Sequence, residues 1–459
     1  MRTSRYRPLL LLVLLTVCFP GASSDAPTDE GRWPGFRGPL QTGEAPGAVP
    51  PSVWSETKNI LWKHAIPGEG QGTPVVWGDR IFLTTAVDAS PLASDGQRSV
   101  EEAHGHQGAH DNEDPTHRLE FRVLALNRHD GELVWSRTVR VAAPHAPIHV
   151  SGSWASQSPV TDGKRIYASF GSAGLFALSM RGKPIWERDL GPMEIRHAHG
   201  EGSSPALHGQ TLVVNQDHEG ASILTALDTR NGKIRWQVPR DEITSWSTPI
   251  IVEQDGRVQV IVAATGRTRG YALKDGKLLW EVSGLSRNVV ASPVVGNGVA
   301  VVANSYDTRA MLAIDLSRAN GELDGGEAIL WTRDRDTPYV PSPVLWNDRV
   351  CFVKHYQGIL TCLDLRHGTP LLGPSRIPGI RNLYASPIVA AGRLYVVSLE
   401  GVTSVVSADG DALESVSVNR LDDSFAASPV AVGRTLYLRG ERSLYAIRDG
   451  KAGTTIATE

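Results

Sequence analysis

The sequence lacks the patterns that most readily identify an enzyme or a membrane protein. It has neither a Gly-x-Ser-x-Gly nor a His-Glu-x-x-His motif, so the usual signatures of a hydrolase nucleophile and of a zinc protease are missing. Only three of its 459 residues are cysteine, and none belongs to a Cys-x-x-Cys-His haem attachment motif. After the N-terminal segment no run of about eighteen apolar residues occurs, which excludes an obvious transmembrane helix.

Basic residues are not in excess either. The chain has 46 Lys and Arg against 49 Asp and Glu, and three of the arginines, Arg2, Arg5 and Arg7, precede an apolar run near the N-terminus. Without these three the balance is 43 basic to 49 acidic residues, a net charge of −6. No basic cluster or aromatic–basic stripe contradicts this balance, so a nucleic-acid partner is not expected.

The N-terminus has the pattern of a secretory signal. The three arginines are followed by an apolar run at residues 9–17 and by Ala22-Ser23-Ser24, a small-residue cleavage site. The sequence therefore predicts that residues 1–24 are removed and that the protein is exported to the periplasm or out of the cell. Cys18 follows Leu-Thr-Val, a poor lipoprotein box because valine stands where a small residue is usual, so a lipid anchor is not expected.

The dominant feature of the sequence is a Ser/Thr-Pro dipeptide that recurs eight times. The intervals between its prolines are 85, 46, 44, 44, 50, 44 and 42 residues, and a period in the forties with short strands is typical of propeller blades. Proline lacks an amide hydrogen and favours an extended preceding residue, so each dipeptide predicts the start of a strand. The eight copies are Thr73-Pro74, Ser158-Pro159, Ser204-Pro205, Thr248-Pro249, Ser292-Pro293, Ser342-Pro343, Ser386-Pro387 and Ser428-Pro429.

A tryptophan follows in most repeats. The proline strand leads into a polar turn, a β-rich run, a strand with Ala-Leu or a close relative, and a second turn before the tryptophan. Trp331 comes after a longer turn, whereas in four repeats a glycine precedes the tryptophan by four residues. An aromatic ring of this size on an outer strand can be buried between adjacent blades. The four pairs are Gly131 and Trp135, Gly182 and Trp186, Gly232 and Trp236, and Gly276 and Trp280.

The count of strands predicts how the ring closes. The eighth repeat, residues 428–449, has only three predicted strands, and a spare tryptophan strand at residues 59–63 precedes the first repeat. The sequence therefore predicts an all-β, eight-bladed β-propeller in which the N-terminal strand completes the last blade and few sheet edges stay exposed. The predicted organisation is a signal peptide at 1–24, an N-terminal extension at 25–58, the propeller at 59–449 and a C-terminal tail at 450–459.

The first interval exceeds the others by about forty residues because of an insertion in blade one. The insertion, residues 87–119, contains four histidines among several carboxylates, and three histidines with a carboxylate can hold a divalent metal. The segment is also polar and turn-rich, so a solvated loop is the favoured interpretation, and a lid over the central funnel is a third. The histidines are His104, His106, His110 and His117.

Two cysteines remain once the signal peptide is removed. Cys351 and Cys362 lie on adjacent predicted strands of blade six, equally far from the turn between them. In an oxidising compartment they can form a cross-strand disulfide. The alternative is a pair of buried free thiols that pack as small apolar groups, and it is slightly favoured because cross-strand geometry often suits a disulfide poorly.

The segments just before each Ser/Thr-Pro are the candidate binding region, since they lead into the innermost strands at one mouth of the channel. An apolar floor of aromatic residues with arginines above it would hold an anionic ligand. The alternative, weighed equally, is that the aromatic residues fill the channel and the charges pair with one another. The candidates are Trp154, Arg196, Glu201, Trp246, Arg287, Tyr339, Arg381, Tyr384, Asp423 and Phe425.

The repeat also resembles a known family. Ala226, Asp228, Gly232 and Trp236 form the pattern Ala-x-Asp-x-x-x-Gly-x-x-x-Trp, which is similar to the pyrroloquinoline-quinone-like (PQQ-like) propeller repeat. The front end, Trp-Pro-Gly-Phe-Arg-Gly-Pro at residues 33–39, resembles the secreted bacterial branch of that family, which is similar to the BamB-type outer-membrane assembly factor. The resemblance covers residues 33–449 and is specific for fold rather than for activity.

The resemblance implies two alternative functions. One class keeps the propeller without a cofactor and presents its loops to partner proteins. The other binds PQQ and calcium at the channel mouth, oxidises alcohols or sugars, and carries an adjacent cysteine pair that this sequence lacks. We therefore expect a non-catalytic, monomeric ring that binds a protein partner or a small-molecule ligand at the channel mouth or loops, with a PQQ-dependent oxidoreductase as the alternative.

Overall fold

The computed structural model describes residues 31–91, 111–407, 410 and 412–450. It confirms the predicted all-β, eight-bladed propeller, with eight antiparallel sheets arranged as blades around one axis. In every blade the strand that begins after the Ser/Thr-Pro dipeptide is the innermost, and three further strands follow outward.

The first half of the chain supplies the sixteen strands of blades one to four and four further strands. The strands in chain order are β1 (Arg32–Trp33), β2 (Ile60–Ala65), β3 (Val75–Trp77), β4 (Arg80–Pro91), β5 (Asn112–Glu113), β6 (His117–Asn127), β7 (Leu133–Ala142), β8 (Ile148–His149), β9 (Val160–Thr161), β10 (Arg165–Ser169), β11 (Leu175–Ser179), β12 (Pro184–Arg188), β13 (Ala206–His208), β14 (Thr211–Gln216), β15 (Ile223–Asp228), β16 (Ile234–Pro239), β17 (Ile250–Gln254), β18 (Arg257–Val262), β19 (Thr268–Ala272) and β20 (Leu278–Val282). Blade one consists of β3, β4, β6 and β7, and blades two, three and four consist of β9–β12, β13–β16 and β17–β20.

The remaining strands complete blades five to eight. They are β21 (Val294–Gly296), β22 (Val299–Asn304), β23 (Ala310–Asp315), β24 (Gly321–Glu322), β25 (Ile329–Arg333), β26 (Val344–Trp346), β27 (Arg349–Val353), β28 (Ile359–Asp364), β29 (Pro370–Arg376), β30 (Ile388–Ala390), β31 (Arg393–Val397), β32 (Val402–Ser407), β33 (Glu414–Arg420), β34 (Val430–Val432), β35 (Thr435–Arg439) and β36 (Ser443–Arg448). Strand β24 belongs to blade five in sequence but pairs in parallel with β20 of blade four.

The ring closes as predicted. Strand β2 pairs antiparallel with β36, so the N-terminal strand is the outermost strand of blade eight. Trp62 lies opposite Ala446, the same relation that Trp236 has to Ala226 in blade three. The closing strand therefore repeats the register of an ordinary blade.

The recurring Ser and Thr residues have a role beyond starting strands. At seven successive junctions the hydroxyl oxygen of one residue accepts a hydrogen bond from the backbone N–H of its counterpart in the preceding blade, over 2.8–3.0 Å. All eight Ser and Thr side chains are buried. This chain of bonds, which we call the hydroxyl girdle, ties the innermost strands together around the axis and explains why the dipeptide needs Ser or Thr.

The outer tryptophans join neighbouring blades at their periphery. In five blades the indole Nε1 donates to a backbone carbonyl in the turn before the next blade's fourth strand, over 2.8–3.2 Å. The ring covers a glycine of that turn at positive φ, where a Cβ would lie within 2.8 Å of ring atoms. Trp280 differs because β24 occupies the adjoining edge. Its indole turns inward and bonds Gln259 Oε1 at 2.7 Å.

The two faces of the ring differ in their connections. The turn face carries the turns from first to second and from third to fourth strand, and the loop face carries the connections between blades. Residues 33–49, here called the plug, cross the axis on the turn face and bond the innermost strands of six blades. These contacts are Trp33 with Val76, Pro34 with Thr161, Gln41 with Ile251, Thr42 with Leu345, Gly43 and Ala45 with Val389, and Val49 with Gly433.

Arg37 is the central side chain of the plug. It is 2% exposed, and its guanidinium donates to the carbonyls of Pro343 at 2.6 Å, Pro387 at 2.8 Å and Thr42 at 3.2 Å. The two prolines follow girdle serines, so Arg37 reaches from the turn face to the level of the hydroxyl girdle. Burial lowers the pKa of Arg37 to about 9.

Both ends of the insertion in blade one form β-strands. Strand β4 continues to Pro91 and β6 begins at His117, so both ends of the predicted insertion belong to a long hairpin. Leu119 and Phe121 are buried in the core of blade one, which explains why β6 starts earlier than the polar composition indicated. His104, His106 and His110 lie outside the described residues.

Cys351 and Cys362 are joined by a disulfide. They face each other across β27 and β28, with Cα atoms 4.1 Å apart, and both are fully buried. The free thiols that the sequence analysis slightly favoured are therefore wrong, because the two cysteines form a disulfide. Separately, no helix among the described residues is long and apolar enough to cross a membrane.

Candidate functional site

A large cavity opens on the loop face, over blades one to three. It has a volume of about 730 Å³, and the connections between blades one and two (residues 143–157) and between blades two and three (residues 189–203) form its walls. We call it the loop-face pocket. Its walls are mainly apolar and aromatic, with Trp154, Phe170 and Met193 among them. A concave apolar cavity with few polar groups is the usual form of a small-molecule or side-chain binding site.

The described end of the insertion supports this pocket. Strand β5 pairs with β8, so Asn112 lies opposite His149 in the first wall. The side chain of Asn112 donates to the carbonyl of His197 in the second wall at 2.9 Å. The insertion thus holds the two long connections at a fixed spacing.

Glu201 is the polar centre of the pocket. Its side chain is 12% exposed, and it accepts hydrogen bonds from Ser172 N at 2.7 Å and from the Ser172 hydroxyl. Gly171, at a φ of 56°, leaves the space that the carboxylate fills, because a Cβ there would overlap Glu201 Oε2. Burial raises the pKa of the Glu201 carboxyl, and the bonds from Ser172 oppose this shift.

Ser172, His145 and Glu201 have the composition of a catalytic triad but not its geometry. The Ser172 hydroxyl donates directly to Glu201 Oε1 and accepts from Met193 N at 2.9 Å. His145 Nε2 lies 2.9 Å from Met193 O, a group that can only accept, so this nitrogen carries a proton and cannot act as a base toward Ser172. The group is arranged to hold a carboxylate in place rather than to activate a nucleophile.

The sequence-predicted aromatic residues divide between two sides of the loop face. Trp154 lines the pocket, and Trp246 stands beside it, with its Nε1 donating to Gly200 O at 2.7 Å. On the opposite side, Tyr339 stacks on His355 at 4.9 Å and joins Tyr384 through Tyr356. Burial raises the pKa of Tyr339 and lowers that of His355.

Phe425 and Asp423 belong to the framework of blade eight. Phe425 is fully buried and packs on Tyr445 with ring centroids 5.8 Å apart. The Asp423 carboxylate accepts bonds from Ser443 N at 3.1 Å and Tyr445 OH at 3.2 Å, and it lies 3.8 Å from Arg442 Nε. Both residues hold the turn between the second and third strands.

The predicted arginines are also separated. Arg196 lines the pocket and its Nε contacts His197 Nε2 at 3.3 Å. Arg287 pairs with Asp307 at 2.5 Å, and Arg381 is exposed on the Tyr384 side. The structure therefore brings together Trp154, Arg196 and Glu201 from the predicted set.

His117 is the one insertion histidine that the structure describes. It begins β6, and its Nδ1 lies 2.9 Å from Thr116 Oγ1. Among the described residues no group of three or more His, Cys, Asp or Glu side chains is arranged to hold a metal ion.

Sequence reasoning missed His145, Ser172 and Gly171. Each lies in a connection or a short 3-10 turn rather than in the periodic strands, and nothing in their spacing relates them to Glu201. Their only sequence signal is the unusual length of the connections on either side of blade two.

Comparisons with known proteins agree with this fold. A family model described as outer membrane protein assembly factor BamB matches residues 119–372. BamB from Moraxella catarrhalis superposes with a TM-score of 0.52 at 14% identity, covering 81% of this chain and 99% of that one. No functionally curated protein matches significantly in sequence.

Quinoproteins superpose on the chain as well. The quinohemoprotein alcohol dehydrogenase of Comamonas testosteroni gives a TM-score of 0.59 at 9% identity, covering 93% of this chain and 82% of that one. The alcohol dehydrogenase ADHIIG of Pseudomonas putida HK5 gives 0.57 at 10% identity, covering 94% and 81%. At such identities the likeness concerns the fold alone.

Proposed function

Since the chain belongs to the outer membrane protein assembly factor BamB family, we propose that it is an exported, non-catalytic propeller that binds a partner on its loop face. Export follows from the signal pattern at residues 1–24, which lie outside the described residues. A monomeric ring is part of the proposal, because every blade is completed within one chain.

The observation that carries the proposal is the pocket around Glu201. It is concave and largely apolar, its Ser172 hydroxyl donates to Glu201 and its His145 bonds Met193 O, an arrangement that supports binding rather than acyl transfer. The turn face, by contrast, is crossed by the plug, whose residues line a separate and more polar cavity there.

The residues present do not fit PQQ with calcium. PQQ carries three carboxylates, and the pocket already contains Glu194, Glu201 and Glu219 beside Arg140 and Arg196. A lining with three carboxylates disfavours a ligand that is itself a tricarboxylate. The adjacent cysteine pair expected over the quinone is missing from the sequence, and the two mature cysteines are bonded to each other inside blade six.

Site-specific photo-crosslinking in the parent cell envelope tests the proposed face. A photoreactive residue at His197 or Arg381 reports on the loop face, and one at Lys164 or Arg434 is the matched control on the turn face. We expect discrete adducts from the first pair only. Equal adducts from both faces would contradict the proposal.

A calorimetric titration tests the quinoprotein alternative. The mature protein and its Trp246→Ala variant are titrated with PQQ in the presence of calcium. We expect no saturable binding. One-to-one binding that disappears in the variant would replace the scaffold proposal with the oxidoreductase.

A further inference from the structure

A second, much smaller cavity adjoins the loop-face pocket. It has a volume of about 20 Å³ and shares Gln157, Met193, Ile195 and Glu201 with the pocket. A cavity of this size holds one group about as large as a water molecule. The small cavity is therefore the inner end of a site whose outer part is the apolar pocket.

The inner end contains an amide group without partners. Asn215 is 3% exposed, lines the small cavity, and neither its Oδ1 nor its Nδ2 has a hydrogen-bond partner among the described residues. Gln157 is likewise 3% exposed and lines both cavities. Buried amides are normally satisfied, so the Asn215 side chain points to a polar ligand group.

The charge at the inner end is negative. Glu201 has Ser172 as its hydrogen-bond donor, and His145 Nε2 lies 4.0 Å from its Oε1. Arg140 is drawn outward over the Phe176 ring and toward Glu187. A buried carboxylate with so few donors is stabilised by a cation that enters the pocket.

From these observations we propose that the pocket binds a primary amine, with the ammonium group in the small cavity and an apolar chain in the pocket. An ammonium offers three N–H donors and no acceptor, which suits the oxygens of Glu201, Gln157 and Asn215. A guanidinium is too large for a cavity of about 20 Å³, and a hydroxyl brings no charge. The source is either a free alkylamine or a lysine side chain of a partner protein.

This inference rests on the proposed function, because it names the ligand chemistry of the same pocket. The two proposals can fail independently. Loop-face cross-links without amine binding would support the scaffold proposal and contradict the amine proposal. Turn-face cross-links with amine binding would contradict the scaffold proposal and support the amine proposal.

The test is calorimetric titration of the mature protein with n-hexylammonium, with hexanol as the neutral analogue of equal length. A peptide with one central lysine and the same peptide with acetyl-lysine form the second arm. We expect one-to-one binding of an amine and at least about tenfold weaker binding of its neutral analogue. Preference for the peptide over hexylammonium indicates a partner's lysine, and the reverse preference indicates a free amine.

Two variants separate the site from general damage. Glu201→Gln keeps the shape of the side chain and removes its charge, so amine affinity should fall at least about tenfold. Glu132→Gln, exposed on the turn face and outside the pocket, is the control and should change affinity less than about twofold. The proposal is overturned if neither amine binds, if the neutral analogues bind equally well, or if Glu201→Gln retains full affinity.

Discussion

The two faces of the ring are made by different parts of the chain. The turn face is closed by backbone and buried side-chain bonds of the plug and by tryptophans that cover the turns of the next blade. The loop face is shaped by two long connections and the insertion, none of which follows the repeat. The repeated residues thus build the ring, whereas the residues outside the repeat build the site.

Arg37→Ala should break the turn face most strongly. It leaves the carbonyls of Pro343 and Pro387 without their donor in the centre of the plug, and Thr42 O keeps only its bond from Leu345 N, so we expect the free energy of unfolding to fall by about 3–5 kcal/mol. Chemical denaturation measures the effect, and Arg434→Ala, exposed on the same face, is the control. A loss below about 1 kcal/mol would show that the plug is peripheral to stability.

Trp186→Ala should give the next largest effect, again on the turn face. The indole donates to Thr229 O at 2.9 Å and covers Gly232, so its removal opens the junction of blades two and three and costs about 3 kcal/mol. Amine binding at the loop face should be unchanged. A companion variant, Gly232→Ala, should cost about 1–2 kcal/mol, and a neutral result would argue against close packing there.

Gly171→Ala probes the loop face. Its Cβ would overlap the Glu201 carboxylate, so we expect amine affinity to fall at least about tenfold and stability by about 1–2 kcal/mol. Gly191→Ala is a matched control, because Gly191 also has positive φ but no atom within 4 Å of the added Cβ. Equal loss of affinity in both variants would contradict the proposed position of Glu201.

Ser342→Ala should weaken the hydroxyl girdle that both faces share. The Ser292 N–H loses its acceptor at 3.0 Å, and the expected loss of stability is about 1 kcal/mol. Ser342→Thr keeps the hydroxyl, as Thr248 does in the natural girdle, and should be nearly neutral. Equal effects of Ala and Thr would show that packing rather than the hydrogen bond matters.

The smallest expected effect is a pH dependence that belongs to the loop face. The pKa of Glu201 is raised by burial, so the folded protein binds this proton more tightly than the unfolded chain does. The stabilisation is present below the ordinary carboxyl pKa and is lost as pH rises through the raised value, by about 1.4 kcal/mol per pKa unit. Thermal unfolding of wild type and Glu201→Gln between about pH 4 and pH 8 should show that wild type loses stability relative to the variant as the pH rises. A difference in stability that does not change with pH would contradict the raised pKa of Glu201.

The fold could be predicted because the repeat determines it. Ser/Thr-Pro marks each innermost strand, and the count of strands required β2 to close blade eight. The hydroxyl girdle could not be predicted from the same residues, because each hydroxyl bonds a residue 42–85 positions away. The repeat period predicts where each strand lies, but it does not predict which residue each side chain bonds.

The site was only partly predictable. Trp154, Arg196 and Glu201 were selected because they precede Ser/Thr-Pro dipeptides, and the structure places them in one pocket. The same rule also selected Phe425, which lies in the core of blade eight. Nothing in the sequence distinguished them, because the course of an irregular connection depends on contacts such as Asn112 with His197, 85 residues apart.

The closing strand and the plug together have a consequence for biogenesis. Residues 31–65 are synthesised before any blade, yet β2 needs β36 as its partner and Arg37 needs Pro387, which lies 350 residues later. This early segment therefore reaches its place only after the last blade exists. The ring cannot close until nearly the whole propeller has been synthesised.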